Sequence, residues 1–323
     1  GGAPKNGEWS RAFPSSCPPG EASTGGKFHL GEAASSLGAA DLVRLFDVVT
    51  TPPSLAPSPV VFGENDAAVF ETFVVPAYLR MYWDAVTRVL LVGEAARLVH
   101  LGCRTGFPDA ELLERMPRTT GVGVDASAAN LILARSKLGA MGIDYREGDP
   151  TNTGLPEAQF SHALALHPVM GAASRSALFQ EMARLLYPGG QAIVALPLSR
   201  SFPEILDLLA EYALKHDDAE LIRSLEMAAS ERVTIETLSD ELEAAGLSDV
   251  DFDLFTETLG YDSGRALLED PATRFLIAPQ IAYWLEQADI SPAMEYVGRA
   301  IDKYWSEERM ELSVTIGAVS ARR

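Results

Sequence analysis

The spacing of hydrophobic residues changes along the chain from a helical period to short apolar runs. Between residues 67 and 92 the apolar positions recur mostly every three or four residues, as in helices, and Pro76 interrupts them. Two helices broken near Pro76 are therefore predicted before the core. Farther on, short apolar runs alternate with helical stretches. Five of these runs are predicted to be strands: Leu98–Leu101, Gly121–Val124, Tyr145–Glu147, Ala163–Leu166 and Ala192–Leu196.

Helical patterns lie between these strands, at Asp109–Arg115, Ala128–Leu138 and Arg175–Leu186. Ser127 is placed to cap the second of them, and a Pro-Gly-Gly sequence at 188–190 predicts a turn before the fifth strand. Regular alternation of strand and helix with short links predicts a parallel sheet that is covered by helices on both faces.

The last third of the chain continues with more helices and two further strands. Ser201 and Glu204 have the spacing of a capping box, and strands are predicted at Val250–Thr256 and Leu312–Ser320. Between those strands, residues from about 259 to 309 have helical patterns. This insertion is too long for a hairpin loop, so it is expected to form either a lid over a bound substrate or a surface for a protein partner.

Residues 1–59 hold many prolines, glycines and serines around one apolar segment, Ala39–Val49. That composition predicts an extended arm with a single short helix. The chain is therefore divided into an arm at 1–59 and one domain at 60–323, which contains the insertion.

Charge is distributed unevenly along the 323 residues. The formal net charge is −19, and residues 201–323 carry nearly all of the acidic excess. An acidic surface repels phosphate backbones, so a nucleic-acid substrate is not expected. The carboxylates are expected to form either solvated helix faces or a docking surface for a cationic protein partner.

Other features of the composition exclude several classes of protein. No apolar run approaches about 18 residues, and the start of the chain lacks the order of a signal peptide, so we expect a cytoplasmic protein without a membrane span. The chain has two cysteines, Cys17 and Cys103, and no cluster of metal-ligand residues. Neither a disulfide framework nor a metal site is therefore predicted.

One segment combines a strand, a glycine turn and a helix. Residues 97–106 have the sequence R-L-V-H-L-G-C-R-T-G, and in such a turn backbone N–H groups approach a ligand closely at a helix N-terminus. The second strand ends at Asp125, whose carboxylate can accept both hydroxyls of a ribose. The third strand ends at Asp149, which is positioned to receive the exocyclic amine of a base. The spacing therefore predicts a nucleoside site at this edge of the sheet.

Five segments in this order resemble the class I S-adenosylmethionine-dependent methyltransferases. They are V-H-L-G-C-R-T-G, G-V-D-A-S, E-G-D, L-P-E-A-Q-F-S-H-A-L-A-L-H and L-L-Y-P-G-G-Q-A-I-V-A-L-P, and the resemblance covers roughly residues 61–323. It implies a Rossmann-like α/β fold with a seven-stranded, mostly parallel sheet and helices on both faces. It also implies an antiparallel last strand and an N-terminal helical lid that begins near Phe62.

The same resemblance implies S-adenosylmethionine as the cofactor. The turn from Gly102 to Gly106 would surround the methionine, with Asp125 on the ribose and Asp149 near the adenine. An NAD-dependent dehydrogenase is rejected because the G-x-G-x-x-G spacing of that class is absent.

Three positions depart from the pattern of the methyltransferase family. His100 stands where the first strand usually ends in an acid that helps to hold the methionine ammonium, Arg104 replaces the middle glycine of the turn, and Ser161 replaces an acid in the fourth strand. Arg104 either fills space that the cofactor needs or reaches the cofactor carboxylate and restores binding. His100 is either a cofactor ligand or a core residue.

Methyl transfer is an in-line displacement, so the protein mainly positions the acceptor and removes at most one proton from it. His167 follows the fourth strand and is a candidate catalytic base or a packing residue, whereas His162 is expected on the opposite face. Two functions are consistent with the sequence. The first is a methyltransferase for a small-molecule acceptor, and the second is a catalytically degenerate member that serves as a binding or scaffold module for a protein partner.

Overall fold

A computed structural model describes residues 62–287 and 289–323 of the protein, and at residues 230 and 231 it describes the backbone alone. The predicted arm at 1–59, with its helix at Ala39–Val49, lies outside the described residues. The arm and its boundary at residue 60 therefore stay predictions.

Seven strands form one sheet in the order β3-β2-β1-β4-β5-β7-β6. The first five strands run parallel, whereas β7 runs antiparallel to both β5 and β6. The strands are β1 Arg97–Leu101, β2 Thr120–Asp125, β3 Ile143–Glu147, β4 Phe160–Leu166, β5 Leu186–Pro197, β6 Ser248–Tyr261 and β7 Met310–Arg322. The predicted Rossmann-like sheet with an antiparallel last strand is confirmed.

Hydrophobic residues cover both faces of the sheet because neighbours along a strand point to opposite sides. Leu98 of β1 and Leu164 of β4 belong to the core on one face, and Val99 and Ala163 belong to the core on the other. The helices are α1 Glu64–Val69, α2 Phe70–Leu79, α3 Arg80–Val89, α4 Asp109–Arg115, α5 Ala128–Leu138, α6 Ala172–Leu185, α7 Pro203–Lys215, α8 Ala219–Glu231, α9 Ile235–Ala244, α10 Gly264–Glu269, α11 Thr273–Ile277, α12 Ala278–Leu285 and α13 Ser291–Tyr304.

The N-terminal helices are continuous through Pro76, so the predicted break there is wrong. The backbone is helical from Glu64 to Val89, and Pro76 lies inside α2, which has π-helical winding. Proline removes one N–H donor from a regular helix, and the wider winding accommodates that loss without ending the helix. Helix α2 also buries Phe70 and Tyr78, which lie against the functional edge of the sheet.

The start of α7 differs from the predicted capping box. The Ser201 hydroxyl donates to the Thr315 carbonyl oxygen at 2.9 Å. The Glu204 carboxylate accepts hydrogen bonds from the backbone N–H and the hydroxyl of Ser313, at 3.1 and 2.6 Å. Both side chains therefore fasten α7 to β7 instead of closing the first turn of the helix.

The insertion between β6 and β7 is helical, as predicted. Helices α10 and α13 approach so closely that a Cβ on Gly264 would lie 1.8 Å from the Gly298 carbonyl oxygen. Helix α13 also packs on α7, and α12 packs on α8. Within the described ranges, none of the helices has the length and apolar character that crossing a bilayer requires.

Candidate functional site

A turn at the carboxyl end of β1 has three residues in the left-handed backbone region. Their φ values are +68° at Gly102, +47° at Arg104 and +83° at Gly106. The N–H of Gly102 donates to the Val124 oxygen at 2.8 Å, which holds the turn over the end of β2. At Gly106 a Cβ would lie 2.9 Å from the Tyr145 hydroxyl oxygen, so glycine is needed there for space as well as for φ.

Asp125 ends β2 and joins the turn to the start of α5. Its Oδ2 accepts the backbone N–H of Arg104 at 2.9 Å, and its Oδ1 accepts the backbone N–H of Ser127 at 2.9 Å. The side-chain amide of Asn130 donates to Oδ1 at a longer 3.3 Å. A carboxylate has about four acceptor positions, so three are engaged and one is left for a ligand.

A cavity of about 220 Å³ lies beside this carboxylate at the carboxyl ends of β1, β2 and β4. Its lining is mostly apolar and consists of Phe62, Leu101, Gly102, Arg104, Asp125, Ala126, Ser127, Asn130, Pro150, Pro168, Val169, Met170, Leu178, Phe275 and Tyr283. In open α/β sheets this crevice is the usual position of a ligand. Its volume is below the range of about 300 to 1,000 Å³ that is typical of small-molecule sites.

The Arg104 side chain accounts for part of the small volume of the cavity. Its guanidinium spans from the β1 turn to the end of β4, where Nη1 donates to the Leu166 oxygen at 2.8 Å and Nη2 donates to the His167 oxygen at 2.7 Å. The guanidinium carbon also lies 5.7 Å from the centre of the Phe70 ring, within cation–π range. Desolvation by burial lowers the pKa of Arg104 from its ordinary value. Arg104 is the positively charged side chain in the cavity lining. Arg104 therefore crosses the crevice.

His100 lies beneath the turn in a buried polar network. Its Nδ1 lies 2.8 Å from Oδ1 of Asp109, and the two side chains are 1% and 0% exposed. The Tyr145 hydroxyl donates to the other Asp109 oxygen at 2.8 Å, and burial together with the Asp109 charge raises the pKa of Tyr145. His100 is not among the residues that line the cavity. Asp109, which the sequence analysis did not single out, is the buried acid of this network and does not line the cavity either.

His167 is also sealed in the core. It is fully buried, and its Nε2 lies 3.1 Å from the Tyr78 hydroxyl, which in turn lies 2.8 Å from the Tyr82 hydroxyl. Burial, followed by the charge of Arg104, lowers the pKa of His167 to about 3. The ring is therefore neutral near pH 7 but is a weak base, and it does not line the cavity. Its assignment as a catalytic base stays a prediction.

Asp149 and Ser161 lie outside the cavity lining. The exposed Asp149 carboxylate accepts the N–H and the hydroxyl of Thr151 on Oδ1, at 2.8 and 2.7 Å, so its other oxygen is the one available to a ligand. Ser161 lies near the amino end of β4, where it accepts the N–H of Arg97 at 2.8 Å. Ser161, one of the three departures from the family pattern, therefore lies at the opposite end of the strands from the site.

The structure adds residues that the sequence analysis missed. Asn130 could have been found from its position three residues after the helix cap Ser127. Phe62, at the predicted start of the N-terminal lid, and Phe275 and Tyr283, in the insertion, reach the cavity from distant parts of the chain. Phe62 stacks on Phe275 with ring centres 4.9 Å apart, so the N-terminal helices and the insertion meet above the site. Across the described chain no group of three or more His, Cys, Asp or Glu side chains has an arrangement suited to a metal ion.

Comparison with known proteins agrees with this architecture. Residues 99–194 match a family described as a methyltransferase domain. The fold resembles that of phosphoethanolamine N-methyltransferase 2 from Haemonchus contortus, solved with phosphomonomethylethanolamine and S-adenosylhomocysteine, with a TM-score of 0.50 and 12% identity over 81% of this chain and 58% of that one. Residues 99–194 are thus similar to the methyltransferase domain family, and the fold is the Rossmann-like fold of the class I methyltransferases.

Two relatives are similar in sequence as well. A trans-aconitate 2-methyltransferase from Azoarcus sp. (strain BH72) is 33% identical over 121 residues, which are 38% of this chain and 46% of the relative. A demethylmenaquinone methyltransferase from Deinococcus radiodurans is 32% identical over 149 residues, which are 41% of this chain and 61% of the relative. The chain thus matches about half the length of these relatives.

Proposed function

We propose that the protein is an S-adenosylmethionine-dependent methyltransferase that acts on a small-molecule acceptor. The observation that carries this proposal is the Asp125 carboxylate, fixed by three N–H donors beside a cavity at the carboxyl edge of the parallel strands. The names of the two relatives, which specify trans-aconitate and demethylmenaquinone, support an acceptor of small size.

The residues present fit the adenosine half of the cofactor. Asp125 has one free acceptor position, and its 3.3 Å contact with Asn130 is long enough to be exchanged for a ligand hydroxyl. The amide oxygen of Asn130 has no hydrogen-bond partner although the residue is 1% exposed, so it offers a second acceptor. The apolar walls at Leu101 and Pro150 suit a flat base.

The methionine half of the cofactor would fit after the Arg104 side chain changes its conformation. The main-chain oxygens of Leu166 and His167 are taken by the Arg104 guanidinium in this structure. Rotation of the Arg104 side chain would free both oxygens for an ammonium group, and the guanidinium could then pair with a carboxylate. In this proposal Gly102 and Gly106 give the backbone its close approach to the ligand.

The bound cofactor would supply an electrophilic methyl group, and the residues of the chain would bind and orient the reactants. Phe62, Phe275 and Tyr283 cover the cavity and would exclude water from it. His167 would act as a base only in a conformation that opens it to the cavity, because its ring is buried and its pKa is lowered to about 3. Positioning is therefore the main contribution that we assign to the protein.

Calorimetric titration of the protein with S-adenosylmethionine and with S-adenosylhomocysteine, up to millimolar ligand, tests the proposal. We expect saturable binding of at least one of them at micromolar concentration, and loss of that binding in Asp125→Ala. Transfer of a labelled methyl group to trans-aconitate, the acceptor in the name of one relative, is the first activity to measure. Absence of binding by both ligands at millimolar concentration would contradict the proposal.

A second function is favoured by one observation. Because Arg104 crosses the crevice and reduces the cavity, the fold could serve as a catalytically degenerate binding module, with the acidic C-terminal third as a surface for a protein partner. Absence of nucleoside binding in the titration, together with cooperative unfolding of the same sample, would favour this alternative over the enzyme.

A further inference from the structure

The two edge strands of the sheet differ in length and in the groups that cover them. Strand β3 has five residues, and the carbonyl oxygen of Tyr145 in its middle accepts the Arg135 guanidinium at 2.6 Å. Strand β6 has 14 residues, and among the described residues it pairs with β7 alone. The longer edge is therefore the one that a further strand could join.

The hydrogen bonds of β7 show which backbone groups of β6 point outward. Thr315 of β7 lies opposite Thr256. Its N–H donates to the Ser201 hydroxyl oxygen at 3.0 Å, and its carbonyl oxygen accepts the Leu198 N–H at 2.8 Å. Both partners follow β5, which lies on the other side of β7, so the backbones of Thr256 and Thr315 are not bonded to each other. The N–H and C=O of Thr256 therefore point to the open edge.

This outward direction repeats at every second residue of β6, so Leu254 and Thr258 share it with Thr256. At either end of this stretch a side chain occupies one outward group. The N–H of Phe252 donates to a carboxylate at 3.0 Å, and the carbonyl oxygen of Gly260 accepts a guanidinium at 2.7 Å. Between these two positions, three N–H donors and three C=O acceptors have no partner in the described part of the chain.

The segment that contains β6 is strongly acidic. Residues 233–264 include nine Asp or Glu residues and no Lys, Arg or His. On β6, Asp253 pairs with Arg88, whereas the exposed Asp251 and Glu257 are in none of the ion pairs that the described residues form. Alternate residues of a strand share a face, so these three carboxylates lie along one side of the open stretch.

The open backbone groups suit any extended strand, and the carboxylates select among such strands by charge. A second copy of the chain would bring another acidic β6 to this edge, and its like charges would oppose pairing. An extended segment with Lys or Arg at alternate positions would place its cations beside Asp251 and Glu257 while its backbone bonds to Thr256. The net charge of −19 would also attract such a segment.

We propose that the edge of β6 binds an extended basic segment of a protein partner, which adds to the sheet as a further strand. The acidic C-terminal third thereby has one defined strand and one ligand chemistry for its partner. No residue of β6 lines the cavity, so binding at this edge does not depend on the cofactor site.

Fluorescence anisotropy of a labelled probe peptide with the full chain tests this proposal. The probe is an acetylated peptide of about seven alternating lysine and valine residues. We expect saturable binding with a Kd below about 100 μM at low ionic strength, weakened at least about tenfold at about 0.5 M salt. The same peptide with glutamate in place of lysine should not bind. A lysine peptide that is N-methylated at every amide keeps its charges but has no N–H donors, and it should bind at least about tenfold more weakly.

Two variants of β6 separate the backbone from the charges. The N–H of Thr256 faces the open edge, so Thr256→Pro removes no hydrogen bond to β7 and should weaken peptide binding at least about tenfold. Asp251→Asn combined with Glu257→Gln should weaken it at least about threefold. Thermal unfolding of each variant verifies the fold. If Thr256→Pro unfolds, Thr258→Pro takes its place, because its N–H has the same direction.

Glu220→Gln combined with Glu226→Gln is the matched control. These substitutions remove two exposed carboxylates from α8, which packs on α7 and α12. They change the net charge by the same amount as the double variant of β6, and they should leave the affinity for the lysine peptide unchanged.

Three results would overturn the proposal. The first is failure of the lysine peptide to bind at millimolar concentration. The second is equal binding of the N-methylated peptide, which would mean that charge alone attracts the probe. The third is a dimer of the unmodified protein in sedimentation that Thr256→Pro dissociates, which would mean that a second copy occupies the edge. Each of these results leaves the nucleoside titration, and with it the proposed function, unaffected.

Discussion

Arg104 and His167 lie at the carboxyl ends of two adjacent parallel strands, and the guanidinium of the first donates to the carbonyl oxygen of the second at 2.7 Å. Both residues have positive φ, +47° and +48°. Such a conformation costs a non-glycine residue about 1 to 2 kcal/mol, and it persists only where neighbouring interactions hold it. The two strained residues therefore support each other at the edge where ligands bind.

Asp125 and Asp149 are expected to differ in their effect on nucleoside binding. Asp125→Asn should weaken binding of S-adenosylhomocysteine by at least about tenfold, because an amide cannot accept hydrogen bonds at both of its terminal atoms. Asp149→Asn should change the affinity by less than about threefold, since Asp149 is exposed and does not line the cavity. Calorimetry on both variants measures the difference. Equal losses would instead support the adenine contact that the family resemblance implies.

The pKa of His167 predicts an acid-sensitive fold. Its pKa is about 3 in the folded protein, compared with an ordinary value of 6.5. Below pH 6.5 the unfolded chain therefore takes up a proton that the folded protein excludes, so this contribution is complete above pH 6.5 and is lost as the pH falls toward 3. The loss is at most about 1.4 kcal/mol per pH unit.

His167→Gln should accordingly flatten the dependence of the free energy of unfolding on pH between about pH 6.5 and 4.5. Urea unfolding at several pH values measures the slope. His216→Gln is the control, because His216 is exposed and its replacement should leave the slope as it is. The assignment of a buried neutral His167 fails if the two variants have the same slope.

Replacing Asp109, which forms a buried pair with His100, should lower the free energy of unfolding strongly. Asp109→Asn leaves either the His100 ring N–H or the Tyr145 hydroxyl without its acceptor, and we expect a loss of about 3 kcal/mol in the free energy of unfolding. Asp144→Asn breaks an ion pair with Arg146 that is more than half exposed and should cost less than about 0.5 kcal/mol. Chemical denaturation of both variants compares them. Similar losses would mean that the buried network is not stabilising.

The buried network of His100 and Asp109 also alters the expected effect of introducing the family's residues at positions 100 and 104. His100→Asp would bring a second carboxylate beside the buried Asp109, so it is expected to destabilise the fold rather than to improve cofactor binding. Arg104→Gly alone is the substitution that removes the obstruction at the crevice.

Two glycines in the insertion are expected to respond very differently to alanine. A Cβ on Gly264 would lie 1.8 Å from the Gly298 carbonyl oxygen and 2.6 Å from its Cα, and this backbone cannot move without separating α10 from α13. A Cβ on Gly298 would meet the flexible end of Leu268 at 2.7 Å. Gly264→Ala should therefore lower the free energy of unfolding by at least about 3 kcal/mol, and Gly298→Ala by about 1 kcal/mol. Thermal unfolding of the pair tests the close approach, which equal effects would contradict.

Local patterns were enough to predict the sheet, because the alternation of apolar runs and helical spacing depends on residues that are close together along the chain. The five parallel strands, the antiparallel closing pair and the helical insertion all follow from such local patterns and from the family resemblance. The sequence also predicted Gly102 and Asp125, which line the cavity, since a tight turn and a carboxylate at a strand end have local signals.

The state of the site depends on contacts between distant parts of the chain. Whether Arg104 blocks the crevice depends on carbonyl oxygens about sixty residues away, and the burial of His167 depends on Tyr78 in a helix that precedes the sheet. Pro76 did not end its helix because the backbone there adopts π-helical winding. Ser201 and Glu204 did not cap theirs because residues of β7, distant in sequence, offered other hydrogen bonds. Local spacing specifies elements and turns, whereas the direction, burial and partner of a side chain depend on residues that only the folded chain brings together.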